Sequence, residues 1–235
     1  MDVSPDLISL PRLAVGFLPV AALLVVLRQW RVGGGTPLVA VGRMAGQLAV
    51  LGFALTWLFE TPRTVVLVAV LALMLAAAGW ISMRPLGGER RAHWGHAILA
   101  IAAGGVTPLL IITAGVLDLD ILHDLRLAVP LAGMVFSASM NSVSLSAERY
   151  AAETGRGEAP EAARNTALGA ALIPLLNILL AVGIVSIPGM MTGQILAGIG
   201  PLVAARYQVM VMCMMFGAAG LSAATYLALR VRASA

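Results

Sequence analysis

The sequence predicts an all-α membrane protein of about seven transmembrane helices. Hydrophobic residues make up 60% of the chain and charged residues only 11%, and the mean hydropathy is +0.95. These values lie far outside the range of soluble domains. Seven stretches approach the ~20 apolar residues that a helix needs to cross a bilayer. They are residues 10–27, 38–58, 64–82, 97–117, 127–145, 168–187 and 206–229.

The arginines predict how these spans are oriented. With the N-terminus outside and the C-terminus in the cytoplasm, ten arginines fall on the cytoplasmic side, four fall outside and Arg43 lies within the second span. Basic residues concentrate in cytoplasmic loops of membrane proteins, so this orientation is favoured. The acidic segment 118–124 then faces outside. We expect residues 1–235 to form a single transmembrane domain.

The chain lacks the residues that several classes of enzyme require. All fifteen basic residues are arginine, and without a lysine the chain cannot build a nucleotide-binding P-loop. The sequence also contains no H-E-x-x-H or G-x-S-x-G motif, and its single cysteine, Cys213, excludes a disulfide within the chain. We therefore expect no enzyme activity and no cofactor on this chain. If ATP drives its function, a separate polypeptide must hydrolyse it.

Two spans in the first half contain unusual residues. The first span carries Pro11 and Pro19, which make its start uncertain. The second contains the small-xxx-small pattern from Gly42 to Gly46, which favours close helix packing. Its Arg43 is costly in a membrane unless it reaches the interface or finds a partner. The sequence leaves open whether Arg43 has a structural or a functional role.

The fifth span is polar and leads into the most charged part of the chain. Ser137, Asn141 and Ser144 share one helix face, either as interhelical hydrogen-bonding groups or as the lining of a wet pathway. Residues 146–167 follow as a predicted cytoplasmic loop of the form helix, turn, helix. Gly157 suits the turn and Pro160 suits the first turn of the second helix.

Residues 186–205 separate the last two spans and form the clearest break in the sequence. Four glycines and two prolines make a continuous helix improbable there. The break is either an external connection or a re-entrant segment that lines a pathway. The two segments 157–163 and 198–204 share the pattern G-x-x-P-x-x-A, which we interpret as a repeated signal to end one helix and begin another.

Polar and thioether side chains near this break are the candidate lining of a substrate pathway. Methionine is commonly core filler, but its sulfur is also a soft metal ligand. His93 and His96 have no third ligand nearby in sequence, so we interpret them as an interfacial pair and leave any metal site unknown. The candidate pathway residues are Asn141, Asn177, Met190, Met191, Gln194, Gln208 and Met212.

The stretch from Val185 to Gly198, followed by Pro201 and Ala205-Arg-Tyr-Gln208, resembles the signature of the FetB-like permeases. That family comprises iron-export ABC transporter membrane subunits, with plant relatives linked to aluminium tolerance. The resemblance is specific over residues 141–215. It implies a multi-pass permease of the bacterial inner membrane that exports a metal ion, surrounded by lipid, with no nucleic acid partner. It further implies a homodimer that works with a cytoplasmic ABC ATPase carrying the ATP and magnesium.

Part of the predicted cytoplasmic loop also resembles a known coupling motif. Glu161-Ala-Ala163 with Gly169 resembles the EAA loop of ABC importers, although Gly169 follows Ala163 by six residues rather than four. This resemblance implies contact with the ATPase, with a solvated loop as the alternative. The candidate coupling residues are Glu148, Arg149, Glu161, Ala162, Ala163 and Arg164.

A secondary, ion-coupled transporter of a small solute is the alternative function. Such transporters typically bury acidic or histidine side chains within their spans. Here Glu60 lies at a span boundary and every other carboxylate is assigned to a loop. The sequence therefore favours an ABC permease over the alternative.

Overall fold

The computed structural model describes residues 9–33, 35–60, 64–118 and 125–234. Within these residues seven helical segments are long and apolar enough to cross a membrane, which confirms the predicted all-α membrane fold. The contacts divide the chain into two compact units, Met1–Thr61 and Pro62–Ala235. The predicted single domain, the orientation of the termini and the external position of residues 119–124 remain predictions; the last of these lie outside the described residues.

The first unit contains helices α1, Leu10–Val15, α2, Leu18–Gln29, and α3, Thr36–Glu60. The first predicted span is therefore two helices, and each has a proline in its first turn, where the missing N–H costs no hydrogen bond. The Gly42 to Gly46 pattern on α3 is not used within this unit. No described atom lies within 4 Å of where a Cβ on either glycine would stand.

The second unit is built around one long central helix. Its elements are α4, Thr64–Ser82; a 3-10 turn, Arg84–Glu89; α5, Arg90–Ile101; a π-turn, Ala102–Val106; α6, Thr107–Gly115; α7, Leu125–Gly155; α8, Pro160–Ala181; α9, Gly189–Leu196; and α10, Pro201–Ser234. Helix α7 packs against α4, α8 and α10. Apolar side chains on these helices, such as Val135, Met214 and Leu227, are fully buried and form the core.

Helix α7 extends ten residues beyond the predicted span, which ended at residue 145. The charged end remains helical because Arg149 and Glu153 form an ion pair one turn apart, at 2.6 Å. Tyr150, on the same segment, is almost fully buried against the core. The predicted helix, turn, helix of the 146–167 segment is present, but its first helix is a continuation of the span.

The repeated G-x-x-P-x-x-A pattern marks two matching helix ends, as predicted. Gly157 and Gly198 have φ of +89° and +93°, a conformation that favours glycine. Each closes the preceding helix with the paired hydrogen bonds of a Schellman motif, such as Ile199 N–H to the Gln194 carbonyl at 3.0 Å. Pro160 and Pro201 then begin the next helices.

The break between the last two spans lies earlier than predicted, at residues 182–200 rather than 186–205. Helix α8 ends at Ala181 because Val182 is extended, with ψ of 132°, and Gly183 then reverses the chain with φ of +81°. Residues 201–205 belong to α10, since Pro201 fits the first helical turn. The break also contains the short helix α9. The sequence did not predict this helix because the segment is rich in glycine.

Candidate substrate pathway

Helix α9 is the wall between two cavities of the second unit. Residues four apart lie on one face of a helix, and α9 presents Met190 and Gln194 to one cavity and Met191 and Ile195 to the other. The two adjacent methionines therefore serve different cavities. This follows directly from the helical conformation of a segment in which the sequence predicted a non-helical break.

The larger cavity, which we name the α9–α10 cavity, has a volume of about 560 Å³ and is lined mainly by apolar side chains of α8, α9 and α10. Gln208 and Met212, one turn apart on α10, both line it together with Met191 and Cys213. Gln208 is only 6% exposed. Its Oε1 atom has no hydrogen-bond partner within the described residues. The side chains that line the cavity thus include an amide, two thioethers and a thiol.

The second cavity, the α7–α9 cavity, has a volume of about 340 Å³. Met190 and Gln194 of α9 face Met134 of α7 and Tyr207 of α10 across it. The Oε1 atom of Gln194 is buried and, like that of Gln208, is unpartnered in the described part of the chain. Each of the two cavities is therefore lined by one glutamine and two or more methionines among apolar side chains.

A third cavity, the α7–α8 cavity, receives the polar face of α7. It has a volume of about 340 Å³ and is lined by Ser137, Asn141 and Met215 among others. Ser142 also borders it and donates to the Ala171 carbonyl across the helix interface, at 3.3 Å. Ser137 and Asn141 of the predicted face thus line a cavity, whereas the interhelical hydrogen bond is made by Ser142, outside that face. The role of this face in a wet pathway remains a prediction.

The structure does not bring the seven predicted pathway residues into one cavity. Met191, Gln208 and Met212 meet in the α9–α10 cavity, Met190 and Gln194 lie in the α7–α9 cavity, and Asn141 lies in the α7–α8 cavity. Asn177 is exposed on α8 and lines none of the three. The sequence spacing placed Asn177 near the break correctly, but it could not show which face of α8 packs inward.

The chemistry of these cavities suits a weakly held cation. Amide oxygens accept from or coordinate positive groups, and thioethers are soft, uncharged ligands. Among the described residues that line the three cavities, none is a carboxylate or a histidine. In the described residues no group of three His, Cys, Asp or Glu side chains is placed to hold a metal ion. An ion in these cavities would meet dipoles rather than a fixed counter-charge.

The predicted coupling residues lie where α7 meets α8, and they have different environments. Glu148, Glu161 and Ala162 are exposed, whereas Ala163 is fully buried. Arg149 is held by Glu153, which also contacts Arg156 at 3.3 Å. Arg164 donates to the side chain of Asn165.

Glu153 is the residue of this region that the sequence analysis missed. It is 8% exposed and lies between two arginines. Its spacing of four residues from Arg149 was the available signal. This ion-pair cluster fixes the end of α7 beside the turn at Gly157.

His93 and His96 stack with ring centroids 6.1 Å apart, and their place at a membrane interface remains a prediction. His93 also lies 3.5 Å from Glu89 and contacts Arg230 of α10. The guanidinium of Arg230 in turn lies over the ring of Tyr150 on α7. These contacts connect α5, α7 and α10 at the end of the unit that carries most of its arginines, a connection across distant sequence that spacing alone could not reveal.

Comparison with known proteins places this architecture in a family. The model of the uncharacterised protein family UPF0014 matches residues 10–234. The chain is 32% identical to the UPF0014 membrane protein slr1647 of Synechocystis over 76% of this chain and 74% of that protein. It is 28% identical to the probable iron export permease protein FetB of Escherichia coli (78% and 75%) and 27% identical to the protein ALUMINUM SENSITIVE 3 of Arabidopsis thaliana (81% and 74%). No solved structure matches the chain.

Proposed function

The chain belongs to the UPF0014 family of membrane proteins, and on that premise we propose that it is the permease subunit of an ABC transporter that exports a metal ion. The family assignment bears out the resemblance seen in the sequence. Iron is the proposed ion because one relative is named a probable iron export permease. We place the protein in the bacterial inner membrane as a homodimer.

The single observation that carries the proposal is the pair of buried, unpartnered amide oxygens of Gln194 and Gln208, each among methionines in its own cavity. Burying a polar group without a partner costs free energy, so such groups are retained where a ligand uses them. Ligands without formal charge bind a cation weakly. Weak binding suits passage, because an ion that is trapped by carboxylates is released slowly.

The proposed energy source is a separate cytoplasmic ABC ATPase that binds ATP and magnesium. The absence of lysine means that this chain cannot form a P-loop of its own. We propose that the ATPase docks on the exposed residues around the α7–α8 turn, including Glu148, Glu161 and Ala162. Glu153 and its two arginines would transmit the movement of this turn to α7, because they hold the turn to the helix.

The test is reconstitution with a candidate ABC ATPase from the same genome. We expect no ATP hydrolysis by the chain alone and hydrolysis stimulated by Fe²⁺ when both proteins are present. Replacing the exposed residues Glu161 and Ala162 with Gln and Ser should uncouple hydrolysis from transport while the purified permease keeps its melting temperature, because the buried Ala163 is left in place. Hydrolysis by the chain alone, after removal of contaminating ATPases, would contradict the proposal.

An ion-coupled secondary transporter remains the alternative function, and the same proteoliposomes distinguish the two. An ABC transporter continues to work when an ionophore collapses the ion gradients, whereas an ion-coupled transporter stops. The cavity linings favour the ABC transporter, because coupling to protons or sodium typically uses an intramembrane carboxylate and the described residues that line the three cavities include none.

A further inference from the structure

The fourth span contains a π-helical turn, Ala102–Val106, between α5 and α6. Such turns are rare inside α-helices and concentrate at functional sites. Its central residues, Gly104 and Gly105, are buried, and Pro108 follows in the first turn of α6. Proline has no N–H, so in a regular α-helix the Gly104 carbonyl would lack its donor four residues on. The sequence itself weakens the helix at this point.

The two glycines let neighbouring helices approach the π-turn closely. A Cβ atom on Gly104 would lie 2.3 Å from the backbone nitrogen of Ser222 and 2.6 Å from its Oγ atom, on α10. A Cβ atom on Gly105 would lie 3.1 Å from a methyl carbon of Val135 and 3.5 Å from the Oγ atom of Ser139, on α7. The π-turn therefore adjoins one serine hydroxyl on α7 and one on α10.

These two hydroxyls differ from the other buried serine and threonine hydroxyls of the described residues. Ser139 and Ser222 are fully buried, and neither hydroxyl has a hydrogen-bond partner among the residues that the structure describes. The other buried serine and threonine hydroxyls among the described residues each donate to a backbone carbonyl at 2.8–3.3 Å; they belong to Ser82, Thr113, Ser142 and Ser146. Tyr150 also has a buried hydroxyl without a partner in the described part of the chain, but it lies beside Arg230 and not at the π-turn. Among the buried serines and threonines, the two without a partner are thus the two that adjoin the π-turn.

We propose that the π-turn is the moving joint of the fourth span and that Ser139 and Ser222 are its hydrogen-bond donors in a second state. A π-turn holds one residue more than the α-helical register, so absorbing it rotates one side of the span by ~100° and shifts it by ~1.5 Å. Pro108 has no N–H to donate to the Gly104 carbonyl. In the second state this carbonyl accepts a hydrogen bond from the Ser222 hydroxyl, and the Ser139 hydroxyl donates to a backbone carbonyl next to Gly105. This inference rests on the proposed function, because alternate opening of a transporter needs such a joint.

If Ser139 and Ser222 only packed the helices together, substitutions there would lower stability and transport together. Donors of a second state should affect transport without lowering stability. In the state described here the two hydroxyls are buried without a partner, so Ser222→Ala and Ser139→Ala should leave the melting temperature unchanged or raise it. Each variant also removes one hydrogen bond of the second state, so transport should fall about three- to tenfold. The matched control is Ser82→Ala, which removes a hydroxyl that already donates to the Gly79 carbonyl at 2.8 Å. It should lower the melting temperature and leave transport per folded molecule unchanged.

The experiment measures ATP-driven Fe²⁺ transport and the melting temperature of the full chain with its ATPase. Unchanged transport in both serine variants would overturn the proposal, and so would a lower melting temperature, because the hydroxyl would then already be bonded. If the wild type transports nothing, the proposed function is rejected, and amide hydrogen exchange on the purified chain still decides the joint. We expect residues 102–107 to exchange at least tenfold faster than the α5 amides of residues 94–100. Equal exchange would refute a moving joint.

Discussion

Replacing Gln208 with leucine should make the protein more stable and less active. The Gln208 side chain is 6% exposed, and its Oε1 atom has no partner within the described residues. A buried, unpaired carbonyl oxygen costs about 1–3 kcal/mol, and leucine of similar size removes that cost within an apolar cavity. At ~2–4 °C per kcal/mol for a chain of this length, we expect the melting temperature to rise by several degrees.

The same substitution removes the amide oxygen that we assign to the cation. A hydrogen bond or dipole contact to a charged group is worth about 1.5–3 kcal/mol, which corresponds to a loss of about ten- to a hundredfold in transport at low Fe²⁺. The assay is Fe²⁺ flux into inverted vesicles, normalised to permease content. The control is Gln47→Leu on α3, an exposed glutamine whose change should leave both quantities within error. Full transport by Gln208→Leu would refute the role of the α9–α10 cavity.

Three further substitutions test separate parts of the account. The double variant Met190→Ala/Met191→Ala should lower transport, and the double variant with leucine at both positions should be equally impaired. Full activity of the leucine variant would reject thioether coordination and indicate that the two methionines only pack. Glu153→Gln breaks two ion pairs at the end of α7 and should lower the melting temperature by about 5 °C. Glu158→Gln, at an exposed position, should not change it. Equal melting temperatures of the two variants would show that the ion-pair cluster does not stabilise the fold. Gly198→Ala, at φ of +93°, should lower the free energy of unfolding from thermal melts by about 1–2 kcal/mol. Gly200→Ala should lower it less, because Gly200 has open space for a Cβ atom and no positive φ. Equal losses would contradict the assigned helix end.

The sequence predicted the parts of the fold that local chemistry determines. The third span, residues 64–82, has the same bounds in the structure as in the prediction, because a continuous apolar run has no internal competitor. Gly157 and Pro160 were placed correctly at a turn, since glycine adopts the left-handed conformation without steric cost and proline suits a first helical turn. The extension of α7 was missed because pairing of Arg149 with Glu153 offsets the cost of a charged helix end.

The arrangement of the candidate pathway depended on information that the sequence does not contain. That Met190 and Met191 face different cavities follows from a short helix, α9, within a glycine-rich break. Asn177 was predicted to belong to the same track from about three turns earlier on the sixth span, but packing of α8 leaves it exposed. Ser139 and Ser222 drew no attention as functional residues, because their relation to Gly104 exists only through contacts between helices that are distant in sequence.

The most direct test of the central claim is Fe²⁺ movement in proteoliposomes that contain only this chain and its ABC ATPase. We predict ATP-dependent Fe²⁺ transport away from the side where the ATPase binds. This transport should be unaffected by ionophores and absent when either protein is omitted. Transport that persists without the ATPase, or that stops when ionophores collapse the gradients, would contradict this prediction.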